Sequence, residues 1–519
     1  MIRVRQVKVF YKDTNIKDMV ASKLRISKDD ILAINIVKES IDSRHKPDIY
    51  LVYEVDVKLK DESRIRFDND IFISPKEEYK YSPKGDVKLN NRPIIVGAGP
   101  AGLFAGYLLS EYGYKPIIIE RGKKVEERVT DVEEFIKTGV LNTNSNVQFG
   151  EGGAGTFSDG KLNTMTKDTN FRFKKVFETF VSCGAGADIL YKAKPHIGTD
   201  VLRKTIINLR NKIIANGGEV RYSSKLEDIV ITDNKLTKVK VNDEWIDTDV
   251  LVLAIGHSAR DTFYMLNNHL NMEAKPFAVG VRISHKQADI NYSQYGTKES
   301  ILGAASYKLT HTCKNGRGVY TFCMCPGGYV INASSEDDML AINGMSNHAR
   351  DSVNANSALI VTVSPDDFGN NPMDGIEYQR VLEAKAYELG SGNIPIQLYK
   401  DFKDNKVSTN VGSVTPLFMG SYKLSNLNDI LPDYISESLK EGIEAFANKI
   451  KCFNDPDAIL AAIESRTSSP VRIVRDEEYK SIEGIYPCGE GAGYAGGITS
   501  ASIDGIKVSE AIGNYFKKW

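Results

Sequence analysis

The sequence predicts an α/β fold class, with a doubly wound parallel sheet and further domains around it. Residues 93–106 read P-I-I-V-G-A-G-P-A-G-L-F-A-G, an apolar strand that turns through glycines into a helix. A second apolar run, 116–119, ends on Glu120. The 519 residues exceed what a single hydrophobic core organises. We therefore expect a multidomain protein whose central domain is Rossmann-like.

The spacing of the early glycines indicates that this domain binds a dinucleotide. Gly97 permits the tight turn, Gly99 lets a pyrophosphate approach the backbone at the positive end of the helix dipole, and Gly102 lets the helix lie close to the sheet. A carboxylate about twenty residues further on is placed to accept the ribose hydroxyl protons. The predicted ligands in this stretch are Gly97, Gly99, Pro100, Ala101, Gly102, Glu120, Arg121 and Arg128.

A second glycine-rich stretch favours FAD over NAD. Residues 484–497 read G-I-Y-P-C-G-E-G-A-G-Y-A-G-G and precede a helical pattern at 498–512. Flavoproteins that begin with G-x-G-x-x-G carry a late glycine and acidic residue on the ribityl chain, which Gly489-Glu490 resembles. The following helix would direct its N–H groups at the flavin N1 and C2 carbonyl. The alternative is an ordinary strand-to-helix turn. The predicted late ligands of non-covalent FAD are Gly489, Glu490, Gly497, Ile498 and Thr499.

Residues 150–160 hold five glycines, and this spacing lets the backbone approach a flat or anionic ligand. We predict that they lie along the pyrophosphate, the ribityl chain and the ring, with Gly153, Gly155 and Gly256 among the cofactor ligands. Lys161, with Asp159 beside it, is the candidate that stabilises the anionic reduced flavin. A mobile surface loop is the alternative interpretation.

Four phrases carry a resemblance to a known family. They are K-E-S-I-D-S-R at 38–44, E-G-G-A-G-T-F-S-D-G-K-L at 151–162, F-C-M-C-P-G-G at 322–328 and E-S-R-T-S-S-P-V-R at 464–472. Together with the late glycine stretch they resemble the uncharacterised bacterial FAD-dependent dehydrogenases over nearly the whole chain. The resemblance implies a discontinuous FAD-binding domain of the glutathione-reductase type, an inserted α+β substrate domain and a small N-terminal α+β domain. It implies no substrate.

The expected domains are an N-terminal unit at 1–90, the first part of the FAD domain at 91–265, a substrate domain at 266–464 and the rest of the FAD domain at 465–519. Residues 79–91 are the expected linker. Patterning predicts strands at 3–9, 31–40, 49–59, 219–222 and 251–255, helices at 16–24, 125–138 and 199–216, and a three-stranded meander at 226–232, 235–241 and 245–247.

Several side chains are ambiguous from the sequence. Cys323 and Cys325 project to one face of a strand and are either redox-active or substrate-orienting thiols, or small packing residues. Two thiolates alone cannot complete a zinc site, so no metal is expected. His257 either approaches the cofactor or caps a strand. Arg466 and Arg472 either hold an anionic substrate or FAD phosphate, or form surface ion pairs.

The sequence thus predicts a cytoplasmic FAD-dependent oxidoreductase that passes a hydride between flavin N5 and a small molecule or NAD(P)H. With a single dinucleotide fingerprint, NAD(P)H would bind transiently, or the electrons come from elsewhere. A flavin monooxygenase, a tRNA-modifying flavoprotein and a non-catalytic flavin module stay open. The balance of 67 Lys+Arg against 68 Asp+Glu argues against general nucleic-acid binding. No membrane partner is expected, and the redox partner is left open.

Overall fold

The computed structural model describes residues 1–164, 166–297 and 300–519. A five-stranded parallel sheet gathers strands from both ends of the chain. Its order is Ile485–Pro487, Leu251–Leu253, Ile94–Val96, Ile117–Ile119 and Glu219–Arg221. All but the last are wholly buried, as expected for parallel strands covered on both faces.

One face of the parallel sheet is covered by four helices, Pro100–Glu111, Arg172–Ser182, Thr199–Ala215 and Ile498–Tyr515. The first and last of these cross in close contact, since a Cβ on Gly505 would lie 2.2 Å from the carbonyl oxygen of Ala101. The predicted meander is confirmed on the other face, with strands Leu226–Thr232, Lys235–Val241 and Glu244–Asp247.

A larger, seven-stranded sheet forms the second half of the molecule. All its strands come from residues 277–464, and all but one of the neighbouring pairs are antiparallel. Their order is Thr310–Thr312, Gly318–Cys325, Asn354–Val363, Phe277–Lys286, Ile459–Glu464, Ile394–Leu398 and Tyr422–Leu424. A three-stranded sheet beside it contains Ile342–Met345, Tyr329–Asn332 and Phe418–Met419. We call the seven-stranded sheet the large sheet.

The N-terminal unit is a four-stranded antiparallel sheet with one helix, Ile16–Leu24. Its strand order is Ile31–His45, Asp48–Leu59, Ile2–Phe10 and Ile71–Ile73. The second strand in the chain runs to His45 rather than stopping at residue 40, because residues 41–45 continue the hairpin with Asp48–Leu59. Tyr11 and Ile49 join the hydrophobic core of the large sheet, so this unit packs against it.

The predicted helix at 125–138 is confirmed as Val125–Thr138. The expected linker at 79–91 is an extended segment that packs on the C-terminal helix, where Tyr79 Oη donates to Glu510 Oε1 at 2.9 Å. Within the described residues, no helix is long and apolar enough to cross a membrane. The remaining elements are the strand pair Met272–Ala274 and Val471–Ile473, the helices Arg260–Leu266, Gln287–Tyr295, Pro365–Phe368, Asp374–Gly390, Tyr399–Lys403 and Asp433–Ala447, and the 3-10 turns Lys28–Asp30, Ala154–Phe157, Ala187–Leu190, Ser300–Leu302 and Leu427–Asp429.

Candidate functional site: a cleft between two sheets

The first loop, residues 97–102, turns from strand to helix as the sequence predicts. Gly97 has φ +99°, and its N–H donates to the Ile119 carbonyl at 2.8 Å. A Cβ on Gly102 would lie 1.9 Å from the Gly97 oxygen, so no side chain fits there. A Cβ on Gly99 would approach, among the described residues, only Gly153 Cα at 3.8 Å. Gly99 therefore leaves open space at the helix N-terminus, where a pyrophosphate fits.

The glycine-rich segment, residues 150–160, lies between the first loop and the late loop, residues 489–497. Gly152 N–H donates to the Ala98 oxygen at 2.8 Å. A Cβ on Gly153 would lie 3.1 Å from Gly99 Cα, and one on Gly155 would lie 3.1 Å from Ile498 Cγ1. The backbone of the first loop and the Ile498 side chain both lie against this segment, so it is packed and not a free surface loop.

Arg128 has a different role from the predicted one. Its side chain is fully buried and donates to five main-chain carbonyls, and it is not among the residues that line the cleft. A Cβ on Gly150 would lie 2.4 Å from Arg128 Cδ, so this glycine makes room for the arginine. Arg128 therefore holds the glycine-rich segment in place from behind. Its acceptors are the oxygens of Asn146, Val147, Gly150, Glu151 and Gly153.

Glu120 also takes part in holding the loops. Its Oε1 accepts from the N–H groups of Gly122 at 2.9 Å and Gly150 at 3.0 Å, and its Oε2 accepts from Ala98 N–H at 2.9 Å. A carboxylate offers about four acceptor positions. One position remains open, whereas the predicted role requires Glu120 to accept two ribose hydroxyl protons. The neighbouring Arg121 pairs with Asp261 at 2.8 Å and lies over the Phe149 ring.

The late loop is arranged differently from the expected ribityl contact. Gly489 N–H donates to Asp504 Oδ2 at 2.7 Å, and Glu490 Oε1 lies 3.1 Å from His257 Nδ1. His257 Nε2 is buried and has no hydrogen-bond partner among the described residues. A Cβ on Gly497, at φ +144°, would meet no described atom within 4 Å. The late loop therefore leaves open space at Gly497, and the neighbouring His257 leaves its Nε2 unpaired among the described residues, in the same cleft that Gly99 lines.

These segments surround a cleft with an empty volume of about 1590 Å³, part of it open to solvent. Gly102, Arg128, Gly489 and Thr499 do not line it. Thr499 instead donates to the oxygen of Leu162 at 2.7 Å, and so connects the C-terminal helix to the residues that directly follow the glycine-rich segment. The predicted site residues that do line it are Gly97, Gly99, Pro100, Ala101, Glu120, Arg121, Gly153, Gly155, Asp159, Lys161, Gly256, Cys323, Cys325, Glu490, Gly497 and Ile498.

The large sheet supplies the opposite wall and carries the predicted site residues Cys323 and Cys325. Sequence reasoning did not find the buried arginine that fixes this wall. Behind it lies Arg282, which is fully buried and donates to both carboxylate oxygens of Glu464, at 2.8 and 3.2 Å. Burial works to lower the pKa of Arg282, but Glu464 outweighs it and the pKa is raised. Arg282 also donates to Asn343 and Asn356 and to the Cys323 oxygen, so one guanidinium fixes this wall.

Cys323 and Cys325 lie on this wall at a β-bulge, where the register shifts between Phe322 and Cys325. Cys323 has φ +40° and is exposed to the cleft, whereas Cys325 is buried. Although Cys323 is open to the cleft, desolvation by the protein atoms around it raises the pKa of its thiol to about 12, and burial raises the pKa of Cys325. Both thiols therefore stay protonated near neutral pH, which disfavours thiolate chemistry.

Arg466 forms no surface ion pair, contrary to one expectation. It is buried and donates to both oxygens of Glu383, at 3.0 and 2.8 Å, and Glu383 also accepts from Arg260 at 2.7 and 2.9 Å. Although burial works to raise it, the two arginines hold the pKa of Glu383 well below its usual range. Arg466 thus belongs to a buried network and also lines the cleft. Arg472 lies over the Tyr494 ring, 5.6 Å from its centroid.

The comparisons with known proteins agree with this site. A family model for the FAD-dependent protein, C-terminal domain-like, matches residues 276–467, an FAD binding domain model matches 92–132, and a model for a domain of unknown function matches 1–58. A curated relative in Clostridium beijerinckii, described as an uncharacterized protein, is 49% identical over 526 residues and 98% of each chain. The chain belongs to a bacterial family of FAD-dependent oxidoreductases.

Two solved structures resemble this flavoenzyme distantly. Glycine oxidase from Bacillus cereus is 10% identical, with a TM-score of 0.35 over 81% of this chain and 95% of its own. L-proline dehydrogenase from P.horikoshii is 12% identical, with a TM-score of 0.39 over 83% of this chain and 94% of its own. The cleft itself fits FAD, because Gly99 and Gly497 leave the backbone accessible and the buried His257 Nε2 has no hydrogen-bond partner in the described part of the chain.

Proposed function

We propose that this FAD-dependent oxidoreductase is a dehydrogenase or reductase that acts on a small molecule held between the cofactor loops and the large sheet. One observation carries the proposal. The first loop, the glycine-rich segment and the late loop line the same cleft as Phe322, Cys323 and Asn343 of the opposite wall. A molecule lying between these walls would touch both the cofactor and the side chains of the large sheet.

FAD supplies a flavin ring that accepts or donates a hydride at N5. The chain's own residues would bind and orient it. Glu120 and the helix N-terminus at Gly99 are placed for the adenosine and pyrophosphate end. Gly153, Gly155 and the start of Ile498–Tyr515 are placed for the ribityl chain and the ring. Lys161, which also lines the cleft, would place a cation near the ring of the cofactor.

The electron donor is a separate part of the proposal. The sequence holds a single dinucleotide fingerprint, so we propose that any NAD(P)H binds transiently in the substrate part of the cleft. Neither a nucleic acid nor a membrane is among the proposed partners.

Anaerobic reduction of the purified holoprotein tests the proposed function. We expect a yellow protein whose visible absorbance bleaches with NADH, with NADPH or with a substrate from a panel of small acids, amines and alcohols. A protein that binds FAD but is reduced by none of these would overturn the dehydrogenase proposal. In air, stoichiometric hydrogen peroxide or a hydroxylated product would identify oxygen as the electron acceptor, and the hydroxylated product would identify a monooxygenase. Salt-dependent retention of RNA would indicate a tRNA-modifying enzyme.

A further inference from the structure

Three chain segments converge at the end of the cleft where Lys161 lies. Leu162 N–H donates to the Pro195 oxygen at 3.0 Å, and Thr199 N–H donates to the Ser346 oxygen at 3.0 Å. A Cβ on Gly198 would lie 2.2 Å from the backbone nitrogen of His348. Residues 159–162, 194–199 and 346–350 therefore form one closely packed corner.

Each of the three segments brings a cation to this corner. We call Lys161, Lys194 and Arg350 the cationic cluster. Arg350 Nε donates to Asp159 Oδ1 at 2.8 Å, and Lys161 Nζ lies 4.0 Å from Asp159 Oδ2. Lys194 Nζ donates to Ser306 Oγ at 3.3 Å. Although the Lys194 side chain is exposed at the surface, desolvation by the surrounding protein, and then the charges of Lys161 and Arg350, lower its pKa.

Among the described residues, carboxylates do not fully balance the charges of the cluster. Asp159 is the carboxylate between Arg350 and Lys161, and it is buried. The next carboxylates are Asp188, which pairs with Lys192, and Asp200, which accepts from the His348 N–H at the corner itself. The three cations therefore face Asp159 and Asp200, and one positive charge is left in excess. Lys161 and Arg350 are partly buried whereas Lys194 is exposed, and partly desolvated cations in excess favour the binding of an anion.

Two histidines give the corner further polar atoms. Burial, and then Arg350, lower the pKa of His196 to about 4, so that its ring is neutral at pH 7. His196 stacks on His348 with ring centroids 5.3 Å apart. His196 therefore adds a polar ring but no charge to this corner near neutral pH.

We propose that the cationic cluster binds the anionic group, a carboxylate or a phosphate, of the molecule that reacts at the flavin. This inference rests on the proposed function, because it assigns the substrate class for that same cleft. Lys161 and Asp159 line the cleft directly, and Arg350 is bonded to Asp159. The neutral part of the substrate then lies between the cofactor loops and Phe322. The N-terminal unit supports the cluster, since Ala193 N–H, next to Lys194, donates to the Glu39 oxygen at 2.8 Å.

Anion binding by the purified protein tests the inference. Calorimetric titrations with benzoate, acetate and inorganic phosphate are compared with titrations of neutral benzamide, and the flavin spectrum is followed in parallel. We expect at least one anion to bind and to perturb the spectrum, and benzamide to bind more weakly. Tighter binding of the carboxylates assigns an organic acid, whereas tighter binding of phosphate assigns a phosphorylated substrate or a nicotinamide nucleotide.

Two lysine variants two residues apart give the matched comparison. Lys194→Gln removes one charge of the cluster, and we expect it to weaken anion binding about tenfold, the loss of one charge-assisted hydrogen bond. Lys192→Gln removes a lysine that is exposed, as Lys194 is, but whose charge is paired with Asp188, and we expect anion affinity to change less than twofold. Absence of anion binding, or equal effects of the two variants, overturns the inference. Calorimetry reads anion binding even if the flavin resists every donor, so this outcome is distinct from failure of the proposed function.

Discussion

The two walls of the cleft are each held by a fully buried arginine, but the partners differ. Arg128, behind the cofactor wall, donates to five main-chain carbonyls, and burial lowers its pKa to about 9. Arg282, behind the opposite wall, pairs with Glu464, which raises its pKa. The cofactor wall is thus fixed mainly through backbone groups of neighbouring segments. The opposite wall is fixed through side chains brought together by the large sheet.

Because the partners of the two arginines differ, we expect the two walls to respond differently when the arginine is removed. A buried carbonyl that loses its donor is left unsatisfied, but it is uncharged. A buried carboxylate that loses its cation is left as an uncompensated charge. Four predictions follow from the comparison, ranked by their effect on the free energy of unfolding.

Arg282→Met is expected to have the largest effect. It leaves Glu464 buried and unpaired, and removal of one partner of such a pair costs about 4 kcal/mol. The measurement is urea denaturation of the apoprotein. The double variant Arg282→Met, Glu464→Leu is the control, because replacing the whole pair by apolar groups removes the unpaired charge. We expect the double variant to regain at least half of the loss. Equal losses in the two variants would show that Glu464 is not the cause.

Arg128→Met is expected to cost about 3 kcal/mol, because several buried carbonyls lose their donor at once. The glycine-rich segment would lose its support, so flavin content should fall as well. Arg128→Lys is the matched variant, since it keeps the charge but cannot supply five diverging donors. Flavin content by absorbance and denaturation of the apoprotein check both effects. An Arg128→Met protein with full flavin content would show that the segment holds its shape without the arginine.

The difference between local backbone contacts and long-range side-chain pairs also explains how much of the molecule the sequence predicts. Gly97, Gly99 and Glu120 lie within one βαβ unit, and their spacing alone indicates the cofactor fold. Arg282 and Glu464 are 182 residues apart, and Arg260 and Glu383 are 123 apart. A single sequence gives no signal for such pairing, which depends on the strand order of the large sheet. The sequence also gives no signal for the role of Arg128, because an arginine in a charged helix carries no pattern that indicates whether its side chain points inward to main-chain carbonyls.

His196 lies on segment 194–199, which contacts residues 160–162 and Ser346. We expect its titration to have a moderate, pH-dependent effect on the free energy of unfolding. Its pKa is about 4 in the folded protein, against about 6.5 in an unfolded chain. The unfolded chain therefore binds a proton more readily between these values. The stabilisation is fully present above pH 6.5 and is lost as the pH falls towards 4. Because the ring is partly exposed to solvent, we expect a loss of about 1–2 kcal/mol rather than the full value of the shift.

His196→Gln is the control for this titration, because it keeps polar atoms at the position but has no ionisable ring. Urea denaturation at pH 7 and at pH 4.5 should show a smaller acid-induced loss in the variant than in the unaltered protein. Parallel losses in the two proteins would assign the acid sensitivity to carboxylates elsewhere.

Gly99→Ala is expected to have the smallest effect on stability and separates cofactor binding from folding. Gly99 has an ordinary negative φ of −78°, and the new Cβ would lie 3.8 Å from Gly153 Cα, so the apoprotein should lose less than about 1 kcal/mol. The same methyl group would occupy the space left for the pyrophosphate. A clash of about 1–3 kcal/mol weakens FAD binding roughly 10- to 100-fold. Gly318→Ala, whose Cβ would lie 3.6 Å from Thr362 Oγ1 away from the cleft, is the control and should keep its flavin. If the two variants bind FAD equally well, the pyrophosphate does not lie at Gly99, and the cofactor wall would have to be assigned to other residues.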